Sequence, residues 1–311
     1  MNGIRTTPPR PVDVTAVVPR LARLARPAIR LHPRPGSPSP HDSSVGGPLL
    51  WPADEPWPYC DELHDQAAQL YEAYEVYASS VDEWHDGPNP MVPVAQLYAR
   101  DVPLLRPPGQ ADLLQVLWCP FEHEPDYKPP TALFWRSSAE VSDILAAPPG
   151  PFLVQDDGYL PRPCVLAPER ITEYPHHMDL SKELQQQLDD GSRWQAISVD
   201  NPRAPALRDS YSDELSVAPG WKVGGWPSWG LTDPVARFCT TCGTGMVPLL
   251  TIASNEWNRN RHGWVPYEDR SLALSDPHVA NPPQVHISRT NHLQLYVCPE
   301  SPDHPHTDLI Q

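Results

Sequence analysis

The sequence lacks an apolar run long enough to span a bilayer, and no secretory hydrophobic region follows Met1, so a cytosolic protein is the expectation. It has no GxSxG elbow, no GxxxxGK[ST] loop and no HExxH helix, the usual signs of a serine hydrolase, a P-loop nucleotide site and a zinc protease. Basic residues are scarce. Lys+Arg number 23 against 39 Asp+Glu, giving a net charge of −16 and a pI of about 5.1. Outside Arg20, Arg23, Arg26 and Arg30 there is no basic stripe, which argues against a nucleic-acid partner. An acidic surface suits a basic polypeptide instead.

What the chain has in excess is proline, 43 of 311 residues. Proline breaks helix interiors and central strands. The expected fold class is therefore a β-dominated α+β protein with short helices and extensive Pro-rich loops. Residues 14–24 read as a short amphipathic helix with an arginine face, within an N-terminal arm of residues 1–40. Asp61 to Trp84 has a helical period through Leu63, Ala67, Leu70, Tyr71, Tyr74 and Tyr77. Strand-like runs cover Met91–Ala99, Asp112–Trp118 and Thr131–Arg136. Ser137 and Glu140 look like a capping box opening a helix through Ile144. A second helix fits Ser181–Asp190, with Leu180, Leu184 and Leu188 on one face. Residues 201–220 read as a connector.

The halves of the sequence echo each other. Val45-Gly46-Gly47, Cys60, Met91-Val92-Pro93-Val94 and Cys119-Pro120 recur in order as Val223-Gly224-Gly225, Cys239, Met246-Val247-Pro248-Leu249 and Cys298-Pro299. This implies a tandem duplicated β-sheet motif, with repeats at 41–200 and 201–311. In each copy, pairing of the two longer strands would bring its cysteines together.

Cytosolic thiols stay reduced, so clustered cysteines suggest metal or redox chemistry more than disulfides. Cys239-x-x-Cys242 followed by Gly243 is a knuckle that can hold zinc from one turn. Cys298 is the natural third ligand. His304 is the preferred fourth, with His306 the rival. A redox dithiol would need a βαβ context that this chain does not offer, and inert thiols are the remaining alternative. Cys60, His64, Cys119 and His123 fall at matching places and could form a second zinc site; otherwise Cys119 is an ordinary buried thiol. Cys164 reads as core.

These residues resemble the YwqG-like family of bacterial proteins and, more distantly, the eukaryotic programmed cell death protein 2 family. The similarity lies in KVGGWPSWG, FCTTCGTGM, MVPLLTIAS and LQLYVCP, and in SVGGPLLWPADEPWP and MVPVAQLYARDVP of the first half. It implies a duplicated β-rich fold with zinc at Cys239, Cys242 and Cys298. Some relatives act as chaperones for a ribosomal protein and others in toxin–immunity systems. Where many relatives carry a second cysteine pair, this chain has Cys298 with downstream histidines.

Two functions follow as expectations. One is a non-enzymatic module that shields a basic polypeptide, as an immunity protein or client-specific chaperone. Trp51, Trp57, Trp226 and Trp229 beside the Gly-Gly turns would then form rigid grooves for an extended peptide; closing the core is their other use. The alternative is a zinc hydrolase with Glu122 or Glu124 as general base beside Cys119 and His123.

Overall fold

The computed structural model describes residues 4–62, 64, 88–197, 208, 210–258, 262–274 and 276–311. Most of the helix expected over 61–84, and residues 201–207 and 209 of the connector expected over 201–220, lie outside the described residues. The described part of the connector includes a helical turn, Tyr211–Ser216, that buries Tyr211 and Leu215. The rest is β-dominated. Chain order gives β1 (Arg26–Arg30), β2 (Arg34–Pro35), β3 (Ser44–Val45), β4 (Tyr59–Cys60), β5 (Asn89–Pro90), β6 (Val92–Tyr98), β7 (Leu113–Trp118) and β8 (Thr131–Arg136). These are followed by β9 (Cys164–Val165), β10 (Glu169–Glu173), β11 (Lys222–Gly224), β12 (Val247–Ala253), β13 (His292–Val297) and β14 (Thr307–Ile310).

Two six-stranded sheets have parallel plans. Sheet A runs β10-β1-β11-β12-β13-β14 and sheet B runs β2-β9-β3-β6-β7-β8; β4 and β5 form a separate ribbon. The strand before each Gly-Gly pairs with the Met-Val-Pro strand, which pairs with the strand ending in Cys-Pro. Both ladders slip at the same step, between Pro93 and Ala95 in sheet B and between Pro248 and Leu250 in sheet A. Proline cannot donate to a ladder, so a bulge beside it relieves the mismatch. Beyond the bulge, Gln96 faces Gln115 as Thr251 faces Gln294, and Tyr98 faces Leu113 as Ala253 faces His292.

The chain crosses between the sheets twice. β1 lies in sheet A and β2 in sheet B; β9 lies in sheet B and β10 in sheet A. Leu31-His32-Pro33 makes the first crossing and Leu166-Ala167-Pro168 the second, and they touch where Ala167 N donates to Leu31 O. The N-terminal residues expected as an arm thus supply an interior strand of sheet A, paired to β10 and β11. The sheets do not divide the chain at residue 200.

Alternate residues set the faces. Leu114, Val116 and Trp118 of β7 and Leu293, Leu295 and Val297 of β13 belong to one core shared by the sheets. Each fully buried Val or Leu contributes about 1.5–3 kcal/mol. The opposite faces are covered too, so β7 is buried along its whole length, which explains its unbroken apolar run. Their covers are the segments after Gly-Gly. Gly46 has φ +57°, and a Cβ there would sit 2.2 Å from Pro161 O; Gly225 has φ +74° and a Cβ 2.2 Å from Glu173 Oε2. Only glycine takes both the left-handed backbone and the close approach.

Among the described residues, the expected helices are shorter than the periodicity suggests. Helix Lys182–Asp189 forms as expected, capped by Ser181, with Leu184 and Leu188 buried against Val14, Val17 and Leu21. The helix expected over 14–24 breaks at Pro19 into Val14–Val17 and a 3-10 turn over Pro19–Leu24. Nor do all four arginines form a solvated face. Arg20 pairs with Glu183 at the surface, but Arg30 is fully buried in β1. The capping box also fails. Ser137 makes no cap bond, Ser138 is bound through N and Oγ to Asp112, and the helix stops as a single 3-10 turn at Glu140.

Candidate metal centres

In the first cluster, Cys60 ends β4, which pairs with β5. Cys119 follows β7, and its N–H donates to Pro130 O. The chain then turns so that His123 pairs with Lys128 in an isolated bridge. These elements converge with His64. His64 Nε2 lies 3.2 Å from Cys119 Sγ, while His123 Nε2 lies 3.4 Å from Cys119 Sγ and 3.8 Å from Cys60 Sγ. All four donor atoms fall within 4.8 Å of one another. A tetrahedral metal at ordinary Zn–S and Zn–N distances has ligand–ligand edges of about 3.3–3.8 Å, so the donor set fits. Glu62 was not singled out by the sequence, yet its Oε2 sits 3.0 Å from His123 Nδ1. A carboxylate there fixes the ring and leaves Nε2 facing the thiols. An acidic residue two positions after Cys60 was the available signal.

The second cluster is built on a hairpin. Phe238 pairs with Gly245, Cys239 N donates to Thr244 O, and Gly243 N donates to Cys239 O. Gly243 has φ +71°, the left-handed turn that closes the knuckle. Cys298 arrives at the end of β13. Cys242 Sγ and Cys298 Sγ are 3.5 Å apart, and His304 Nδ1 lies 3.4 Å from Cys239 Sγ. These four donors also share a 4.8 Å neighbourhood. His304, not His306, completes the set. His306 Nε2 instead lies 2.8 Å from Thr131 Oγ1, which donates to Asp308 at 2.7 Å. With Lys128 bound to Asp308 at 2.8 Å, this contact joins β8 to β14.

The clusters differ in exposure and acidity. Cys60, Cys119 and His123 are buried, whereas Cys242 is exposed. The hydrogen bond with Cys119 draws the Cys60 thiol down, and the same bond, with burial, pushes Cys119 up. Hydrogen bonds from Thr244 draw Cys242 down to about 6, while burial pushes Cys298 up. Cys164, pushed up to about 12 by burial, belongs to the shared core and to neither cluster.

The other expected site residues lie elsewhere. Glu122 accepts from Tyr159 OH and, at 3.2 Å, from Ser288 Oγ; Glu124 accepts from Tyr127 OH at 3.0 Å. Neither carboxylate belongs to the four-donor group of the first cluster. Trp51, Trp57 and Trp229 are buried, and Trp226 is half-buried beneath the Arg26 guanidinium. Their indole N–H groups bind Glu55 O, Met91 O, Asp179 and Leu24 O. Trp51, Trp57 and Trp226 pack against the covers of the sheets, while Trp229, though buried, lines a cavity beside sheet A.

The fold and donor sets define a β-rich protein with two Cys/His clusters able to hold a metal ion. The first offers two sulfurs and two nitrogens, the second three sulfurs and one nitrogen. No family model matches the chain, and no curated protein matches it. No helix among the described residues is long and apolar enough to cross a membrane.

Proposed function

We propose that this chain is a non-catalytic binding protein, locked by two structural zinc ions, that shields a basic polypeptide in the cytosol. The observation that carries the reading is the completeness of both donor sets: each cluster supplies four protein ligands, which leaves no tetrahedral position for water or substrate. Closed sites of this kind stabilise folds. Thiol-rich donor sets favour zinc among common divalent ions. The net charge of −16 supports a cationic partner. The resemblance to YwqG-like proteins supports an immunity or client-chaperone role. The matching registers of the sheets support reading the halves as copies of one motif.

With the tryptophans packed inward, the partner surface lies elsewhere. Phe238, bridged to Gly245, and Val247, paired with Val297 just before Cys298, are exposed apolar side chains beside the knuckle, Phe238 at 62 %. Contiguous exposed apolar side chains mark interaction sites more often than isolated ones do. The test is affinity capture with the full chain at low and physiological salt, beside a Phe238→Asp variant. Enrichment of a specific basic polypeptide by the parent and its loss with the variant support the reading; capture of nothing basic at either salt contradicts it.

A further inference from the structure

The outer faces of the sheets differ at one place. In sheet B, Leu50, Tyr98 and Leu113 form a tight apolar cluster, each at most 1 % exposed, with Val141 and Ile144 against it. Leu50 lies four residues after Gly46; Tyr98 and Leu113 face each other across β6 and β7. The same stations in sheet A hold Ser228, four residues after Gly224, and the facing pair Ala253 and His292. All three line a cavity of about 420 Å³. Where one half has a plug of leucines and a phenol ring, the other has a hydroxyl, a methyl and an imidazole around open space.

The polar groups beneath the plug change as well. In sheet B, Gln115 Nε2 donates to Leu50 O and to Gln96 Oε1, and Leu50 N donates to Gln96. In sheet A, Thr251 Oγ1 donates to Gln294 Oε1, but Gln294 Nε2, in a residue 1 % exposed, has no partner among the described residues. A buried amide donor without a partner costs about 1–3 kcal/mol, which a bound acceptor would relieve. Gln294 faces Thr251 across the ladder and lies two residues from His292, both of which line the cavity.

We propose that this cavity is a binding site for an uncharged ring compound rich in hydroxyl groups, the chemistry shared by neutral saccharides and nucleosides. Its volume falls within the range of about 300–1,000 Å³ typical of small-molecule sites. Trp229 and Trp257, each 7 % exposed, supply indole walls for the apolar face of a ring. Ser228, Thr251, Ser254 and Asn255 supply hydroxyl and amide groups. Among the described residues, Lys222 is the one lysine, arginine or carboxylate side chain in the lining. Its ammonium bonds Glu173 at 2.7 and 2.8 Å and Trp226 O at 2.9 Å, so its charge is balanced inside the protein. Among the described residues, a phosphate or carboxylate would find no lysine or arginine free to pair with it here. The site lies apart from the two metal clusters and does not rest on the zinc reading.

The test is saturation-transfer NMR on the full chain with glucose, N-acetylglucosamine and maltose in one arm, adenosine and uridine in the other. Glucose 6-phosphate is the charged control. The expected result is binding in one neutral arm, with the phosphorylated sugar weaker. Ser228→Leu, Ala253→Tyr and His292→Leu together place the sheet B plug in sheet A. This variant should lose the signal while its metal content stays at the parent value. Asn255→Ala, in a loop, should weaken the same probe about tenfold, the loss of one or two hydrogen bonds, and serves if the triple variant does not fold. Absence of binding in both neutral arms, binding of the charged probe alone, or unchanged affinity in a folded plugged variant would overturn the proposal. So would unchanged affinity in Asn255→Ala where the plugged variant does not fold.

Discussion

Ser44 and Lys222 hold the same station in the two sheets, two residues before the first glycine of the turn. Ser44 is buried, and its hydroxyl has no partner among the described residues. Lys222 is equally buried, but its ammonium is locked on Glu173, which also accepts from Ala218 N and Trp226 N. The same divergence recurs across the molecule. One crossing carries His32 and the other Ala167. One cluster offers two thiols and two imidazoles, the other three thiols and one imidazole. One outer face is plugged and the other open. The plan of strands, bulges and turns is common; the side chains that satisfy it are not. Register depends on backbone pairing and on which residues face inward, so outward positions can change chemistry while strand order holds.

The largest expected effect separates the metal clusters. A chelator should lower the melting temperature steeply, because each structural zinc contributes several kcal/mol, up to about 10 or more in small domains. Cys119→Ala and Cys298→Ala should each begin lower and lose less on chelation, because one ion is already gone. Equal melting curves for parent and variants would contradict a metal lock in either half.

Next comes the paired station. Lys222→Met leaves Glu173 buried and uncompensated and should cost about 3–5 kcal/mol in urea unfolding. Ser44→Ala should cost less than about 1 kcal/mol, since no bond is lost. Comparable losses would mean that the stations are not energetically distinct.

The crossings should differ in pH dependence. His32 is fully buried, with Nε2 3.0 Å from Glu169 and Nδ1 3.7 Å from Glu256, and burial with Arg30 and Arg34 nearby brings it down to about 4. The folded state therefore resists a proton that the unfolded chain accepts near pH 6.5. Stability is full above that pH and falls as pH drops towards 4, by about 3 kcal/mol for this group. His32→Asn, which tolerates the positive φ of 46° at this position, should flatten that slope between pH 6.5 and 4. An unchanged slope would assign the acid sensitivity to other groups. A small effect is expected at the join between the sheets: Thr131→Val removes the bonds to His306 and Asp308 and should cost about 1 kcal/mol, with metal content unchanged.

Much of this was legible in the sequence where local chemistry carries it. The knuckle needs only Cys-x-x-Cys and a glycine, and the facing strands bring Cys298 to it. The first cluster was reachable by matching stations between the halves. The choice of His304 over His306 was not, because a turn decides it: His304 N bonds Ser301 O, and β14 begins at Thr307 and sets His306 against β8. The crossed strands were hidden as well. β1 reads Arg-Pro-Ala-Ile-Arg, and neither its buried arginine nor its pairing with residues beyond 160 leaves a period-two signal. Glu173 and Lys222 pair across 49 positions, beyond any local pattern. Trp-Pro pairs in loops look like display sites until the covers they seal are seen.

The most direct test of the central claim is metal stoichiometry by native mass spectrometry with elemental analysis on the full chain. The account predicts two zinc ions in the parent, one in Cys119→Ala, one in Cys298→Ala, one in His304→Ala and two in His306→Ala. Fewer than two in the parent, or loss of an ion in His306→Ala with retention in His304→Ala, would contradict it.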